Sequence, residues 1–123
     1  MPTRVQRTRR RGQPGMPPGA VYVGRPGRWG NPWSATRDGL GTFVFGPDGE
    51  LWAEVESMAE GRAIAASEYA RWIQLPEQES LHTLVRQLLS RRDLACWCPL
   101  PADGEPDHCH AAVLLRLAAG EQP

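Results

Sequence analysis

The residues best suited to chemistry are concentrated in one short segment near the carboxyl end of the chain. All three cysteines and two of the three histidines lie in the stretch CWCPLPADGEPDHCH, between Cys96 and His110. Thiolates and imidazoles are ligands of zinc, and they also form the nucleophile–base pairs of covalent catalysis. The segment therefore predicts a functional site, although it does not by itself specify the reaction.

Two chemistries fit this Cys/His cluster. In the first, Cys96, Cys98 and Cys109 bind zinc together with His110 or His108. In the second, a cysteine is the nucleophile and a histidine its base, which makes Cys98, Cys109 and His110 the catalytic candidates. A third interpretation is purely structural, with Cys96 and Cys98 as small buried side chains of a strand.

A glycine-rich loop, GRPGRWGNP at positions 24–32, is the second candidate site. Glycines allow close approach of the backbone, guanidinium groups pair with phosphate oxygens, and an indole can stack on a base. The loop matches neither of the standard nucleotide-binding fingerprints. It could also be a tight surface turn with Trp29 and Trp33 packed over the core. The predicted ligand-binding residues are Arg25, Gly27, Arg28, Trp29, Gly30 and Asn31.

The charge is unevenly distributed along a chain of zero net charge. Residues 1–37 contain eight arginines and no acidic residue, whereas residues 38–123 contain six arginines and all fourteen acidic residues. A basic segment of this kind favours a phosphorylated or otherwise anionic partner. The alternative is that Arg9, Arg10 and Arg11 form a basic tail that only solvates the chain.

The pattern of apolar residues and turns predicts a small α/β domain over residues 1–123. Strands are expected at 3–8, 20–23, 42–45, 50–55 and 93–98, and helices at 57–75, 81–89 and 109–119. Ser57 and Glu60 form a capping box, and Gly46–Gly49 is the turn of a β-hairpin. The strands are expected to form one short mixed sheet. The predicted segments are a basic amino-terminal segment (1–37), a helical segment (57–90), the Cys/His cluster (96–110) and a frayed tail (120–123).

These elements bring the cysteines together. Cys96 and Cys98 lie on one face at the carboxyl end of a strand, because side chains two residues apart in a strand share a face. Asp107 is the expected N-cap of the last helix, which places Cys109 and His110 in its first turn. In α/β proteins, sites are commonly built where the carboxyl end of a strand faces the amino end of a helix.

Composition excludes several classes of protein. No run of about 18 apolar residues is present, and the sequence has no leader typical of secretion. An odd number of cysteines favours a reduced protein over a disulfide framework. We therefore expect a cytoplasmic protein with no membrane partner.

Four segments, RVQRTRR, VYVGRPGRWGNPW, LACWCPL and CHAAVLLRLA, resemble in this order an uncharacterised bacterial and phage domain family of unknown function. The resemblance extends over nearly the whole chain and implies no particular activity. It implies that the residues to examine are Gly24–Pro32, Cys96, Cys98, Cys109 and His110. It also implies that the hairpin around Gly46–Gly49 is an insertion.

The resulting hypothesis is that the glycine-rich loop and the Cys/His cluster converge on one pocket. The pocket would hold a nucleotide, a nucleoside or a related phosphorylated small molecule for hydrolysis or group transfer. Arg25 and Arg28 would hold phosphate, Trp29 would stack, and Cys109 with His110 would bind or process the reacting group. The alternative is a zinc-stabilised, non-catalytic module that binds nucleic acid, so whether the protein is an enzyme stays open here.

Overall fold

The computed structural model describes residues 2–123. This part of the chain contains six β-strands and three α-helices. The predicted α/β class and the number of helices are confirmed. In chain order the elements are β1 (Arg4–Gln6), β2 (Val21–Tyr22), β3 (Ser34–Asp38), β4 (Gly41–Phe45), β5 (Leu51–Val55), α1 (Met58–Ile73), α2 (Glu79–Leu89), β6 (Leu94–Cys96) and α3 (His110–Ala118), with a 3-10 turn at Pro76–Gln78.

The first sheet is parallel and has β6 at its centre, in the order β1–β6–β2. All three residues of β6 are buried, as expected of a central strand that is covered on both faces. Leu94 of β6 is in register with Arg4 on one edge strand and with Val21 on the other. The carboxyl ends of the three strands therefore open at the same edge of the sheet.

The second sheet is an antiparallel meander of β3, β4 and β5. The predicted turn between β4 and β5 is present, with Gly46 N–H donating to the Glu50 carbonyl at 2.8 Å. Gly49 takes a positive φ of 77° there, which glycine adopts without strain. The strands are thus divided between two sheets rather than joined in one mixed sheet, and β3 was not predicted from the sequence.

Helix α1 lies between the two sheets. Its N-cap is Ser57, as predicted, whose Oγ accepts from the Glu60 N–H at 3.1 Å. The Glu60 carboxylate accepts from the Glu56 N–H at 3.0 Å, so it reaches one residue further back than in a standard capping box. No helix within residues 2–123 is long and apolar enough to cross a membrane.

The core consists of two clusters that meet at α1. Tyr69 and Ile73 belong to the larger cluster, which also contains residues of α2, α3 and β6. Ala65, one turn earlier, belongs to a smaller cluster with Trp33 and Val44 of the antiparallel sheet. Trp72 packs against both clusters. Helix α1 therefore contributes to both clusters of the core.

Candidate metal and ligand-binding site

The three cysteines come together at the carboxyl edge of the parallel sheet. The sulfur atoms of Cys96, Cys98 and Cys109 lie within 4.8 Å of one another, and the Cys96 and Cys98 sulfurs are 3.8 Å apart. All three are free thiols, with Cys96 and Cys109 buried and Cys98 partly buried. A group of three thiols at this separation can hold a metal ion.

The backbone explains why these sulfurs meet. Cys96 is the last residue of β6, which ends two residues earlier than predicted, and Cys98 lies in the bend that follows, with its sulfur 3.8 Å from that of Cys96. Cys109 is the N-cap of α3, with extended backbone angles. The prediction that Asp107 caps this helix is wrong, because the Asp107 carboxylate instead pairs with Arg4. Cys109 therefore sits at the helix boundary, one residue before the first turn, and its side chain is directed at the end of β6.

The three thiols differ in how readily they lose a proton. Hydrogen bonds with Cys109 and then Cys98 lower the pKa of Cys96, whereas the hydrogen bond with Cys96 raises the pKa of Cys109. For Cys98, the bond with Cys109 lowers the pKa, but the bond with Cys96 and burial outweigh it, so the pKa is raised overall. The cluster thus accommodates one negative charge easily, and three thiolates together require a cation.

His110 is buried against the same cluster, and one of its ring nitrogens forms a hydrogen bond with the backbone. Its Nε2 lies 2.7 Å from the Val23 carbonyl oxygen, which can only accept, so Nε2 carries the proton. The other nitrogen, Nδ1, is 3.9 Å from the Cys109 sulfur. Burial lowers the pKa of His110, which favours the neutral ring. His110 lies beside the group of three sulfurs and is not part of it.

A cavity of about 370 Å³ opens directly onto the sulfur cluster. It lies between the carboxyl edge of the parallel sheet, the start of α3, strand β3 and helix α1. The three cysteines, His108 and His110 line one side, and Arg25 and Asn31 of the glycine-rich loop line another. Two candidate sites that are distant in the sequence therefore share one cavity.

Four of the predicted loop residues, Gly27, Arg28, Trp29 and Gly30, are not among the residues that line the cavity. Gly27 and Arg28 are exposed, and the Arg28 guanidinium lies 5.4 Å from the centre of the Trp29 ring. Trp29 is only 8% exposed and belongs to the larger core cluster, which leaves its ring no open face for a ligand. Gly30 is needed because a Cβ there would stand 2.8 Å from Cγ of Arg25.

Asn31 holds the loop against helix α1. Its Nδ2 donates to the Ala65 carbonyl at 3.0 Å, and its Oδ1 accepts from the Trp33 N–H at 2.9 Å. These bonds fix the side of the cavity that carries Arg25. The Asn31 side chain thus has a structural task in addition to its place in the lining.

The sequence of nearly the whole chain matches one known family. A profile for a domain of unknown function, DUF4326, matches residues 5–120. The chain belongs to the DUF4326 family. The resemblance to a domain family of unknown function is thereby confirmed. No curated protein and no solved structure matches the chain.

Arg4 is an important residue of this DUF4326 domain that sequence reasoning assigned only to the general basic segment. It is buried, and its guanidinium donates to both Asp107 carboxylate oxygens at 2.8 Å and to the Cys98 and Pro99 carbonyls at 2.6 and 2.7 Å. Burial lowers the pKa of Arg4, but the hydrogen bond to Asp107 and the charges of Cys109, Asp107 and Cys98 together outweigh burial and raise the pKa overall. Arg4 therefore binds both ends of the segment that connects Cys98 to Cys109, through the Cys98 and Pro99 carbonyls at one end and Asp107 at the other.

Arg62 of α1 was also missed, and it lines the same cavity as the cysteines. The available signal was helical spacing, since Met58, Arg62 and Ala65 follow one another at intervals of four and three residues and share a face. Only the fold shows that this face borders the Cys/His cluster.

Proposed function

We propose that the protein binds zinc through Cys96, Cys98 and Cys109 and binds a nucleotide or a related phosphorylated molecule in the adjacent cavity. One observation carries the proposal: a single cavity is lined by all three sulfurs and by two arginines, Arg25 and Arg62, and no carboxylate of residues 2–123 is among its lining residues. A lining with this charge favours an anionic ligand next to a metal ion.

The sulfur geometry supports zinc. Two ligands about 2.3 Å from a zinc ion at the tetrahedral angle lie about 3.8 Å apart. The Cys96 and Cys98 sulfurs are separated by 3.8 Å, so the ion fits between them without movement of the strand end. Soft thiolate ligands select zinc, iron–sulfur clusters or copper(I). Of these, a single zinc ion requires no inorganic sulfide in addition to the protein ligands.

The fourth coordination position supports a role beyond stabilisation. Structural zinc sites are closed by four protein ligands, whereas catalytic sites have three and keep one position for water or substrate. Three sulfurs form the group here, and the cysteines that carry them line the cavity, so a water or a ligand in the cavity could supply the fourth ligand of a bound ion. Hydrolysis and group transfer at a phosphorylated group are the reactions that such an ion supports.

Charge and shape support a nucleotide-like ligand. Zinc with three thiolates carries one net negative charge, and Arg25 and Arg62 offset this charge and remain able to attract phosphate. Tyr22 and Trp97 also line the cavity and offer aromatic surface to a base or sugar. The volume of about 370 Å³ lies within the range of about 300–1,000 Å³ that small-molecule sites occupy.

Metal analysis tests the first part of the proposal. Protein purified under reducing conditions without a chelator is expected to contain about one zinc ion per chain. Cys109→Ser is expected to lose the ion, whereas His110→Ala is the matched variant that keeps it, because three sulfurs suffice. A folded wild-type protein without metal would refute the zinc site and direct attention to thiol chemistry at Cys109.

Ligand binding tests the second part. The four common 5′-ribonucleoside monophosphates are titrated calorimetrically against wild type, Arg62→Gln and Arg71→Gln. Loss of a charge-assisted hydrogen bond at Arg62 is expected to weaken binding about tenfold or more. Arg71 lies on the same helix but is exposed and away from the cavity, so its variant should bind like wild type. Equal affinities for both variants, or no binding of any of the four nucleotides to wild type, would contradict the proposal.

A further inference from the structure

A second, strongly basic recess lies beside the ligand cavity. It has a volume of about 470 Å³, and no carboxylate of residues 2–123 lines it. Its lining includes four arginines of the amino-terminal segment together with Trp97: Arg7, Arg9, Arg10 and Arg11. We refer to this recess as the arginine groove. The arginines therefore line a concave surface rather than belonging to a detached basic tail.

The arginine groove and the ligand cavity are neighbours. Trp97 lines both of them. The Arg7 guanidinium lies 4.5 Å from the Tyr22 ring centre and 5.1 Å from the Trp97 ring centre, and both rings line the cavity. Arg9 lies 5.1 Å from the Trp97 ring centre. A chain-like ligand could therefore continue from the groove into the cavity.

The backbone holds this arrangement in place. The Arg7 N–H donates to the Cys96 carbonyl at 2.8 Å, so the segment leaves β1 directly beside the sulfur cluster. The Thr8 N–H donates to the Gly15 carbonyl at 2.9 Å and closes the loop that carries Arg9, Arg10 and Arg11. Stacking on an aromatic ring leaves the in-plane N–H donors of a guanidinium free for phosphate.

We propose that the arginine groove binds the phosphate backbone of a single-stranded nucleic acid whose terminal nucleotide enters the ligand cavity. A line of cationic side chains beside aromatic rings is typical of surfaces that bind single strands. A base must be unpaired before it can enter a protein cavity, so the position of the groove beside the cavity favours a single strand over a duplex. The placement of the terminal nucleotide rests on the function proposed above, whereas the groove itself does not.

The test measures binding of a fluorescent oligonucleotide of about 12 residues by anisotropy at several salt concentrations. The variant is Arg9→Gln/Arg10→Gln/Arg11→Gln, which spares Arg7 because Arg7 packs on two rings. The matched control, Arg86→Gln/Arg91→Gln/Arg116→Gln, removes the same charge from exposed positions outside both recesses.

The expected salt dependence of oligonucleotide affinity follows from the counterions that phosphate contacts release. Four phosphate contacts on a single strand give a slope of about −2.8 in log affinity against log salt, or about a 50-fold loss of affinity between about 50 and 200 mM salt. With one arginine left, the slope should fall to about −0.7 and the loss to about threefold. The control should keep the wild-type slope, and all three proteins should bind mononucleotides alike.

A wild-type slope in the groove variant, or an equal loss of slope in the control, would overturn the inference. Tighter binding of a duplex than of a single strand would also contradict it. Failure of the proposed function has a different signature, because mononucleotides would then not bind to wild type while the groove variant would still lose oligonucleotide affinity.

Discussion

Arg4 shows how burial changes the task of a residue within a uniformly basic segment. Arg9, Arg10 and Arg11 are exposed, whereas the Arg4 side chain is only 4% exposed and donates four hydrogen bonds to groups of the protein. Its partners lie at both ends of the segment between Cys98 and Cys109. The distance between these two sulfurs therefore depends on a residue in the first strand.

Replacement of Arg4 by methionine is expected to lower the free energy of unfolding by about 3 kcal/mol, because removal of one partner leaves Asp107 without its counter-charge in a partly buried site. It should also weaken zinc binding, since the segment that positions Cys98 is released. Chemical denaturation and a competition titration for zinc measure the two effects.

The control for Arg4 is the ion pair between Arg71 and Glu68, whose arginine side chain is 77% exposed. Arg71→Met should cost less than about 1 kcal/mol and leave zinc affinity unchanged. If Arg4→Met were as mild as Arg71→Met, the buried pair would have no role in holding the cluster.

At the scale of elements, α1 and β3 both line the cavity and pack directly against each other. Gly61 is buried on the face of α1 that meets the antiparallel sheet, and a Cβ at this position would stand 2.9 Å from the Ala35 Cβ. Glycine weakens a helix interior by about 1 kcal/mol relative to alanine. The close approach of α1 to β3 explains why a glycine occupies this position.

Gly61→Ala is therefore expected to destabilise the protein by about 1–2 kcal/mol, since the cost of overpacking exceeds the gain in helix propensity. The double variant Ala35→Gly/Gly61→Ala removes the opposing Cβ and should recover about 1 kcal/mol relative to the sum of the single changes. Urea denaturation of the four proteins of this cycle measures the coupling. A stabilising Gly61→Ala change would show that the helix moves away from the strand at no cost.

The elements that the sequence predicted are those with a local signal. The turn at Gly46–Gly49 identified β4 and β5, Ser57 and Glu60 identified the start of α1, and a buried apolar run identified β6. Strand β3 has no such signal, because its residues SATRD do not alternate between apolar and polar. Its pairing depends on β4, whose Val44 supplies the apolar contact. The separation into two sheets likewise depends on strand partners, which periodicity does not indicate.

In the candidate site, too, only the features with a local sequence signal could be predicted. The meeting of Cys96, Cys98 and Cys109 follows from a strand end and a helix start, both of which were readable. The position of Arg62 in the cavity lining depends on how α1 packs against the rest of the fold. The pairing of Asp107 with Arg4 joins residues at opposite ends of the chain. Interactions of this kind are products of the tertiary fold.

At the scale of the whole molecule, α1 takes part in both core clusters, and its Tyr69 contacts two other parts of the chain. It is fully buried, its hydroxyl donates to the Trp29 carbonyl at 3.0 Å, and its ring meets His110 edge-on at 5.2 Å between centres. It thereby joins the glycine-rich loop to the start of α3. A charge on this hydroxyl would stand in the core, away from water.

Stability is accordingly expected to fall at alkaline pH through Tyr69. Burial raises the pKa of Tyr69 in the folded protein above its ordinary value, which is about 10. The contribution of the neutral hydroxyl is therefore complete below pH about 10 and is lost as the pH rises towards the folded pKa, because the unfolded chain releases the proton first. With one proton released on unfolding, the free energy of unfolding should fall by up to about 1.4 kcal/mol per pH unit.

Tyr69→Phe should lack this pH-dependent contribution to stability, whereas the thiols contribute equally to both proteins and cancel in the difference. The difference in unfolding free energy between wild type and variant, measured with urea from pH 7 upward, should be constant at first and shrink above pH about 10. A difference that stays constant through pH 12 would show that water reaches the hydroxyl in the folded protein.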